Sequence, residues 1–313
     1  MKWKQKAKIQ NLIAKLPPSL SYKVYHFLQR KFGALQHLNP TSRLSAGITT
    51  LNHICGQGRN IDSKTFLEIG TGRRLCLPIA LWLCGVSKII TVDLNPYLKE
   101  ELVFEDISYM RNNQRDIEIL FGKYSEKPIF RERFNRLLRA GINLKRLIDT
   151  MNVQYLAPAD ACCLDLQSQS VDYCVSRSVF EHIPPKTLEG ILLEEKRLLK
   201  KTGLFVHEID LSDHFLQTDK SISVINFLQF NESEWEYYAG NRYAYHNRLR
   251  IDDFIDLFNK LGLRILFLET NVGQGALEEL RKGFPLDDKF KNKSAKTNAT
   301  TKVLIVASLD ESA

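Results

Sequence analysis

From residue 65 onward, short β-rich runs alternate with helical stretches, and this alternation narrows the folds open to the chain more than any other feature. Strands joined by helices pair in parallel, and a parallel sheet needs helices over both faces. The runs are Thr65–Ile69, Lys88–Val92, Val153–Leu156, Val171–Val175, Gly203–Glu208, Leu263–Leu268 and Lys302–Ser308. Helices are expected near 78–84, 187–200 and 251–261. In the last, Ile251, Phe254, Ile255, Phe258 and Leu261 share one face and Gly262 ends it. Three stretches interrupt the alternation. Residues 95–152 are too long for a bare loop and are expected to hold helices of their own. Residues 211–250 are rich in aromatics, Asn and Arg, and the polar second half of 270–302, Lys289–Lys302, reads as flexible.

The segment before the alternation differs in charge. Residues 1–61 carry ten Lys and Arg and no Asp or Glu, so the net charge of +8 belongs to them, and residues 62–313 are near neutral. Two domains are expected on this ground: a basic helical extension, 1–61, and a catalytic domain, 62–313. Ile9, Leu12, Ile13 and Leu16 mark an amphipathic helix over 3–16, stopped by Pro17-Pro18. A second helix carries Leu20, Val24, Phe27 and Leu28, with Ser19 or Ser21 as its cap and Gly33 at its end. Two readings stand side by side. Residues 1–31 can dock on an acidic membrane face or partner, or they can form a helical cap with solvated lysines, the commoner arrangement. No apolar run reaches the roughly 18 residues of a spanning helix, and Met1–Lys6 lacks a secretory signal's apolar core. The six cysteines form no C-x-x-C pair, which indicates a reducing, cytoplasmic setting without disulfides or a metal site.

The chemistry concentrates where the first strand ends, at Glu68-Ile69-Gly70-Thr71-Gly72. A strand entering a Gly-x-Gly turn brings backbone against a ligand with no Cβ in the way. The second strand finishes at Asp93, 21 residues after Gly72, where a carboxylate can accept from two ribose hydroxyls. A dinucleotide fingerprint would need glycine at position 75, which is Leu75. That makes an NAD oxidoreductase the least favoured reading.

The stretch Glu68–Gly72 resembles motif I of class I S-adenosylmethionine-dependent methyltransferases, and Asp93 matches their ribose-binding acid. Pro158-Ala159-Asp160-Ala161 is similar to their adenine-binding segment. Ser170–Pro184, with Ser176 and Glu181-His182-Ile183, resembles their fourth motif, and Arg197–Gly203 resembles the lead-in to their fifth strand. The chain departs from the pattern at Arg74, in place of the third glycine, and at Lys201-Thr202. The resemblance implies a Rossmann-like, seven-stranded, mostly parallel sheet with an antiparallel last strand. It implies S-adenosylmethionine as cofactor, held by Glu68, Gly70, Thr71, Gly72, Asp93, Asp160, Ala161 and Ser176.

Further candidates gather after the fifth strand: His207, Asp210, Asp213 and His214, at the sheet edge where open α/β folds place ligands. His182 and His214 are the candidate general bases for an acceptor hydroxyl. Trp235, Tyr237, Tyr238, Tyr243 and Tyr245 either line an acceptor site or pack the insertion down. The expected reaction is methyl transfer, preferably O-methylation, to a small molecule or a glycan precursor. No Pro-Pro-aromatic loop follows the fourth strand and no Pro-Cys pair occurs, which argues against DNA as substrate. Methylation of RNA or protein, and a non-catalytic binding protein of the same fold, are the alternatives.

Overall fold

The computed structural model describes residues 1–310. In chain order the elements are α1 (Trp3–Ala14), α2 (Pro18–Phe32), α3 (Thr41–Gly56), β1 (Thr65–Ile69), α4 (Cys76–Leu83) and β2 (Lys88–Val92). Four helices follow: α5 (Glu100–Asn112), α6 (Gln114–Phe121), α7 (Pro128–Leu138) and α8 (Leu144–Thr150). Then come β3 (Val153–Leu156), β4 (Val171–Arg177), α9 (Pro185–Leu198), β5 (Leu199–Asp210), α10 (Glu232–Ala239), α11 (Ile251–Lys260) and β6 (Leu263–Val272). The chain closes with α12 (Gln274–Arg281), α13 (Asp288–Lys291), α14 (Ala295–Ala299) and β7 (Thr300–Leu309).

The seven strands form one sheet in the order β3-β2-β1-β4-β5-β7-β6. β1 to β5 run parallel, and β7 lies antiparallel between β5 and β6. The chain therefore starts at β1 in the middle of the sheet, builds outward to β3, and returns to β4 on the other side of β1. Open α/β folds bind their ligands at such a reversal, here at the carboxyl ends of β1 and β4. The central strands are apolar almost throughout because both of their faces are covered. On one side α3, α4 and α7 pack Leu51, Ile79 and Phe134 against Phe66 and Val175. On the other, α9 and α11 pack Leu192 and Phe258 against Leu67 and Phe205. Every residue of α4 is buried. Helix α3 contributes Leu44, Leu51 and Ile54 to the same core, so the packing continues across position 61.

A third apolar cluster joins the two ends of the chain. Trp3 of α1 sits among Phe215, Phe230 and Tyr238, with ring centroids 5.4, 5.6 and 4.8 Å away. Its backbone N–H donates to Asp219 Oδ2 at 3.0 Å. Such aromatic pairs contribute about 0.5–1.5 kcal/mol each beyond buried area, so α1 is held on the 211–250 insertion.

Several local expectations are corrected. The buried face of α1 is Trp3, Ala7, Gln10 and Ile13, while Ile9 and Leu12 point outward. Helix α2 starts at Pro18 after Pro17, and neither serine caps it. Proline suits the first helical turn because its missing N–H would have no partner there; Ser21 instead donates its hydroxyl to the Ile13 carbonyl at 2.8 Å. Lys289–Lys302 is built into α13, α14 and the start of β7, with Asn298 fully buried. There Arg250, also buried, donates to the carbonyls of Asn298 and Thr300.

Candidate functional site

The turn after β1 is fixed by its neighbours on the sheet. The N–H groups of Gly70 and Thr71 both donate to the Val92 carbonyl at the end of β2. The N–H of Gly72 donates to Asp93 Oδ2 at 2.9 Å, and that of Asn95 donates to Oδ1 at 3.0 Å. Both glycines have positive φ, +87° at Gly70 and +67° at Gly72. A Cβ on Gly70 would lie 2.5 Å from Val179 Cγ2, so this glycine allows the turn to close on the segment after β4. A Cβ on Gly72 would meet nothing within 4 Å. The turn therefore presents bare backbone to an open space, bounded on one side by Asp93.

Glu68 lies beneath the turn, buried, where Thr91 Oγ1 donates to its Oε2 at 2.5 Å. The Thr71 and Thr91 hydroxyls are 2.6 Å apart. Burial pushes the Glu68 carboxyl up to about 8, against the Thr91 hydrogen bond and with Asp93 adding to the rise. Burial also raises Asp93, opposed by its two backbone donors and by Arg73. Two carboxyl groups beside an open Gly-x-Gly turn suit a ligand carrying hydroxyls and positive charge. The sulfonium, ammonium and ribose of S-adenosylmethionine meet that description, so the residues present fit the expected cofactor.

The two arginines that follow leave that space clear. Arg74, where a third glycine was expected, is buried and points away. Its Nη1 donates to Asp106 Oδ1 at 2.5 Å and to the Leu102 carbonyl at 2.9 Å, fastening α5 to the turn. Asp106 also receives Arg43 and the Cys76 thiol, and its partners offset much of the rise that burial imposes on its carboxyl. Arg73 lies over Tyr25 and Tyr97, 5.6 Å from each ring. The Tyr22 hydroxyl donates to Asn95 Oδ1 at 3.1 Å, which brings α2 across the tip of β2.

The remaining expected cofactor residues are spread more widely. Asp160 is exposed and accepts from the Cys162 N–H at 2.9 Å, a local turn of the kind aspartate often makes. The N–H of Ala159 bonds the Asp93 carbonyl, which keeps the Asp160-Ala161 loop beside β2. Ala161 is half-buried against the core. Ser176 is buried in β4, with its hydroxyl 2.9 Å from His207 Nδ1, so it is committed within the sheet. His207 is itself fully buried and stacked on Phe180. Asp213 caps the 214–217 turn, accepting from the Phe215 N–H and Asn226 Nδ2. His207 is therefore structural, whereas Asp213 holds this turn and also lines a cavity beside His214.

His182 and His214, distant in sequence, meet with ring centroids 4.9 Å apart. His246, which sequence reasoning missed, joins them at 6.1 and 5.2 Å. No spacing rule connects the loops after β4 and β5 with the segment before α11; only the folded insertion does. The histidines line a cavity of about 1050 Å³ whose other walls come from α1, α2 and the 211–250 insertion. Lys6, Tyr25, Phe215, Trp235 and Tyr243 contribute. Tyr25 and Tyr243 stack at 3.9 Å, closing α2 onto the insertion. None of the cavity residues is in the β1 turn. The link between the two is the chain after β4: Val179 touches Gly70, and His182, three residues on, faces the cavity. Of the aromatics in the insertion, Trp235 and Tyr243 line the cavity, whereas Tyr238 packs on Trp3.

His182 is exposed on the cavity wall. The protein packed around it, with His214 beside it, lowers its pKa to about 4. Its Nδ1 lies 2.9 Å from the Tyr245 carbonyl. His214 Nε2 lies 3.4 Å from Asp210 Oδ2. Burial works to raise the Asp210 carboxyl, but the hydrogen bonds and charge of His214 and Ser212 win and hold it below its usual value. Glu181, fully buried behind His182, is driven well up by burial.

Residues 137–207 match the family model of a methyltransferase domain. The match runs from the end of α7 through β5 and so takes in the motif after β4. Among solved structures, the chain is similar to a protein from Pyrococcus horikoshii OT3, with 16% identity, a TM-score of 0.47, and coverage of 91% of this chain and 98% of that one. It is also similar to geranyl diphosphate C-methyltransferase from Streptomyces coelicolor A3(2), with 12% identity, a TM-score of 0.45, and coverage of 84% and 78%. A third is phosphoethanolamine N-methyltransferase 2 from Haemonchus contortus, at 15% and 0.46, covering 91% and 60%. No protein of curated function matches the chain.

Proposed function

We propose that this S-adenosylmethionine-dependent methyltransferase methylates a hydroxyl of a small molecule or glycan precursor bound in the cavity beneath α1 and α2. The observation that carries this reading is the convergence of His182 and His214 on the cavity wall, with Asp210 Oδ2 3.4 Å from His214 Nε2, reached directly from the segment that packs on Gly70. Glu68, Gly70, Thr71, Gly72 and Asp93 are proposed to hold the cofactor, with Asp160 and Ala161 beside its base. When bound, the cofactor supplies an electrophilic methyl group on a sulfonium.

The chain's own residues do the rest. Tyr25, Tyr243 and Trp235 enclose the acceptor, and holding it in line with the methyl group is worth effective molarities of about 10⁵ M or more. His182 and His214 are the groups placed to handle the proton that the acceptor hydroxyl loses, and Asp210 stabilises the positive charge that develops on His214. Proton handling of this kind contributes on the order of 10²–10⁴-fold. The test is release of S-adenosylhomocysteine with a panel of glycosides and polyprenyl-linked sugars. His214→Ala should slow turnover of the responsive acceptor by about that factor, with cofactor affinity retained. Unchanged turnover in both His182→Ala and His214→Ala would remove the proton-handling role.

The outward faces of α1 and α2 support peripheral attachment to the inner membrane face through residues 1–31. Leu12 is 69% exposed and Phe27 58%, with Ile9 and Leu20 also outward. Lys8, Lys15 and Lys23 are exposed on the same helices, which carry no acidic residue. Apolar side chains among lysines favour the interface of an anionic bilayer. Met1, Ile9, Leu28 and Phe32 also line the cavity, so an acceptor with a lipid tail would reach it from that side. No helix of the described residues is long and apolar enough to cross a membrane. Co-sedimentation with phosphatidylglycerol vesicles but not with phosphatidylcholine vesicles is expected. Loss of that difference, or its persistence in the double variant Leu12→Glu, Phe27→Glu, would contradict the attachment.

A further inference from the structure

We propose that Glu181, His182 and His214 form a binding site for a divalent transition-metal ion on the cavity wall. One potential ligand atom from each lies within 4.8 Å of the others. Two imidazoles and one carboxylate are a donor set suited to zinc, iron, cobalt or manganese rather than to calcium or magnesium. Drawing the donors to the roughly 3.3 Å separations of a tetrahedral site takes side-chain adjustments of about 1–1.5 Å.

Three observations point to a cation. The Glu181 carboxyl group is 0% exposed, and neither of its oxygens makes a well-formed hydrogen bond, although the backbone N–H groups of Glu181 and Asp210 lie near it. A buried acid without a partner is costly unless it is neutralised, and a bound cation neutralises it. His182 is already fixed as a ligating histidine usually is. The Tyr245 carbonyl, which can only accept, takes the Nδ1 proton at 2.9 Å, leaving Nε2 with its lone pair. Asp210 Oδ2 lies 3.4 Å from His214 Nε2 and would orient that ring if its Nδ1 were the ligating atom. His246 is not a ligand. Its Nδ1 accepts the Arg248 N–H at 3.0 Å, which puts its own proton on Nε2.

Three protein ligands leave a position open to the cavity. With the ion bound, an acceptor hydroxyl taken there would ionise more readily and pass its proton to water, and direct proton transfer to His182 or His214 would be confined to the metal-free protein. This consequence rests on the proposed function, whereas the site does not.

The full chain, stripped with chelator and desalted, is titrated with Co²⁺ in the absence of S-adenosylmethionine and followed by visible absorption and calorimetry. One ion per chain is expected. Loss of a carboxylate that orients a ligating histidine costs about 10–100-fold in affinity, so Asp210→Asn should fall in that range and Glu181→Gln, His182→Ala or His214→Ala beyond it. His53→Ala, on α3 beside Glu269 and outside the cavity lining, should bind as the wild type does. Thermal melting with Zn²⁺ gives a second readout, in which the wild type gains stability and Glu181→Gln, similar in size and without the charge, does not. Absence of Co²⁺ uptake overturns the site, as does uptake undiminished in all three ligand variants, which would place the ion on cysteines. A chain that takes up Co²⁺ but binds no S-adenosylmethionine would refute the methyltransferase reading and leave the site standing.

Discussion

Asp93 and Gly72 are joined by a 2.9 Å hydrogen bond from the glycine N–H to the carboxylate, which ties the tip of β2 to the turn leaving β1. In a sheet that begins in its middle, this contact lies at the carboxyl edge, beside the strand reversal where ligands of open α/β folds bind. It fixes both the bare turn and the acid from which the account of the cofactor site is built.

Gly72→Ala separates cofactor contact from backbone strain. The new methyl would meet no protein atom, but φ is +67° there. The conformational cost is about 1–2 kcal/mol, which should appear as a modest drop in melting temperature. Cofactor affinity should fall much further, because the methyl group enters the space assigned to S-adenosylmethionine. A variant that loses stability but keeps full affinity would show that the open space is not the cofactor's.

Glu68 sets a pH dependence on the free protein. Its folded value, about 8, lies above the ordinary 4.5. Between those values the unfolded chain has released a proton that the folded chain still holds. Stability should therefore be full below about pH 4.5 and decline as pH rises toward 8, by at most about 1.4 kcal/mol per unit from this group. Glu68→Gln should flatten that decline. Urea unfolding of both proteins from pH 5 to 8 checks it, and parallel curves would contradict it.

Arg74 and Asp106 form a buried pair at 2.5 Å. Leaving a buried charge wholly unpaired costs about 3–5 kcal/mol. Arg74→Ala should destabilise by less than that, because Arg43 still pairs with Asp106, and Arg74→Ala with Asp106→Ala should cost less than the sum of the two single changes. Additive losses in chemical denaturation would mean that the pair is not coupled.

The parts of the fold visible in the sequence are those set by local chemistry. Strand alternation, the Gly-x-Gly turn and the acid closing β2 each depend on a few adjacent residues, and they stand where expected. What stayed hidden depends on distant contacts. Arg74 reads as a defect in a glycine pattern until Asp106, 32 residues on, is seen to bind it. The periodicity of α1 pointed Ile9 and Leu12 inward, but Trp3 docks on the 211–250 insertion and turns those side chains out. His246 belongs to no motif, and the third histidine of the cavity appears only when the insertion folds back. Ser176 lies in a strand that resembles a cofactor-contacting one, yet its hydroxyl is taken by His207 on the adjacent strand.

The most direct test of the central claim is isothermal titration of the full chain with S-adenosylmethionine, beside Asp93→Ala. The account predicts one site per chain, and a loss in the variant of at least tenfold, since a charged hydrogen bond contributes about 1.5–3 kcal/mol. Equal affinity in the two proteins, or no binding by a folded wild type, would contradict it.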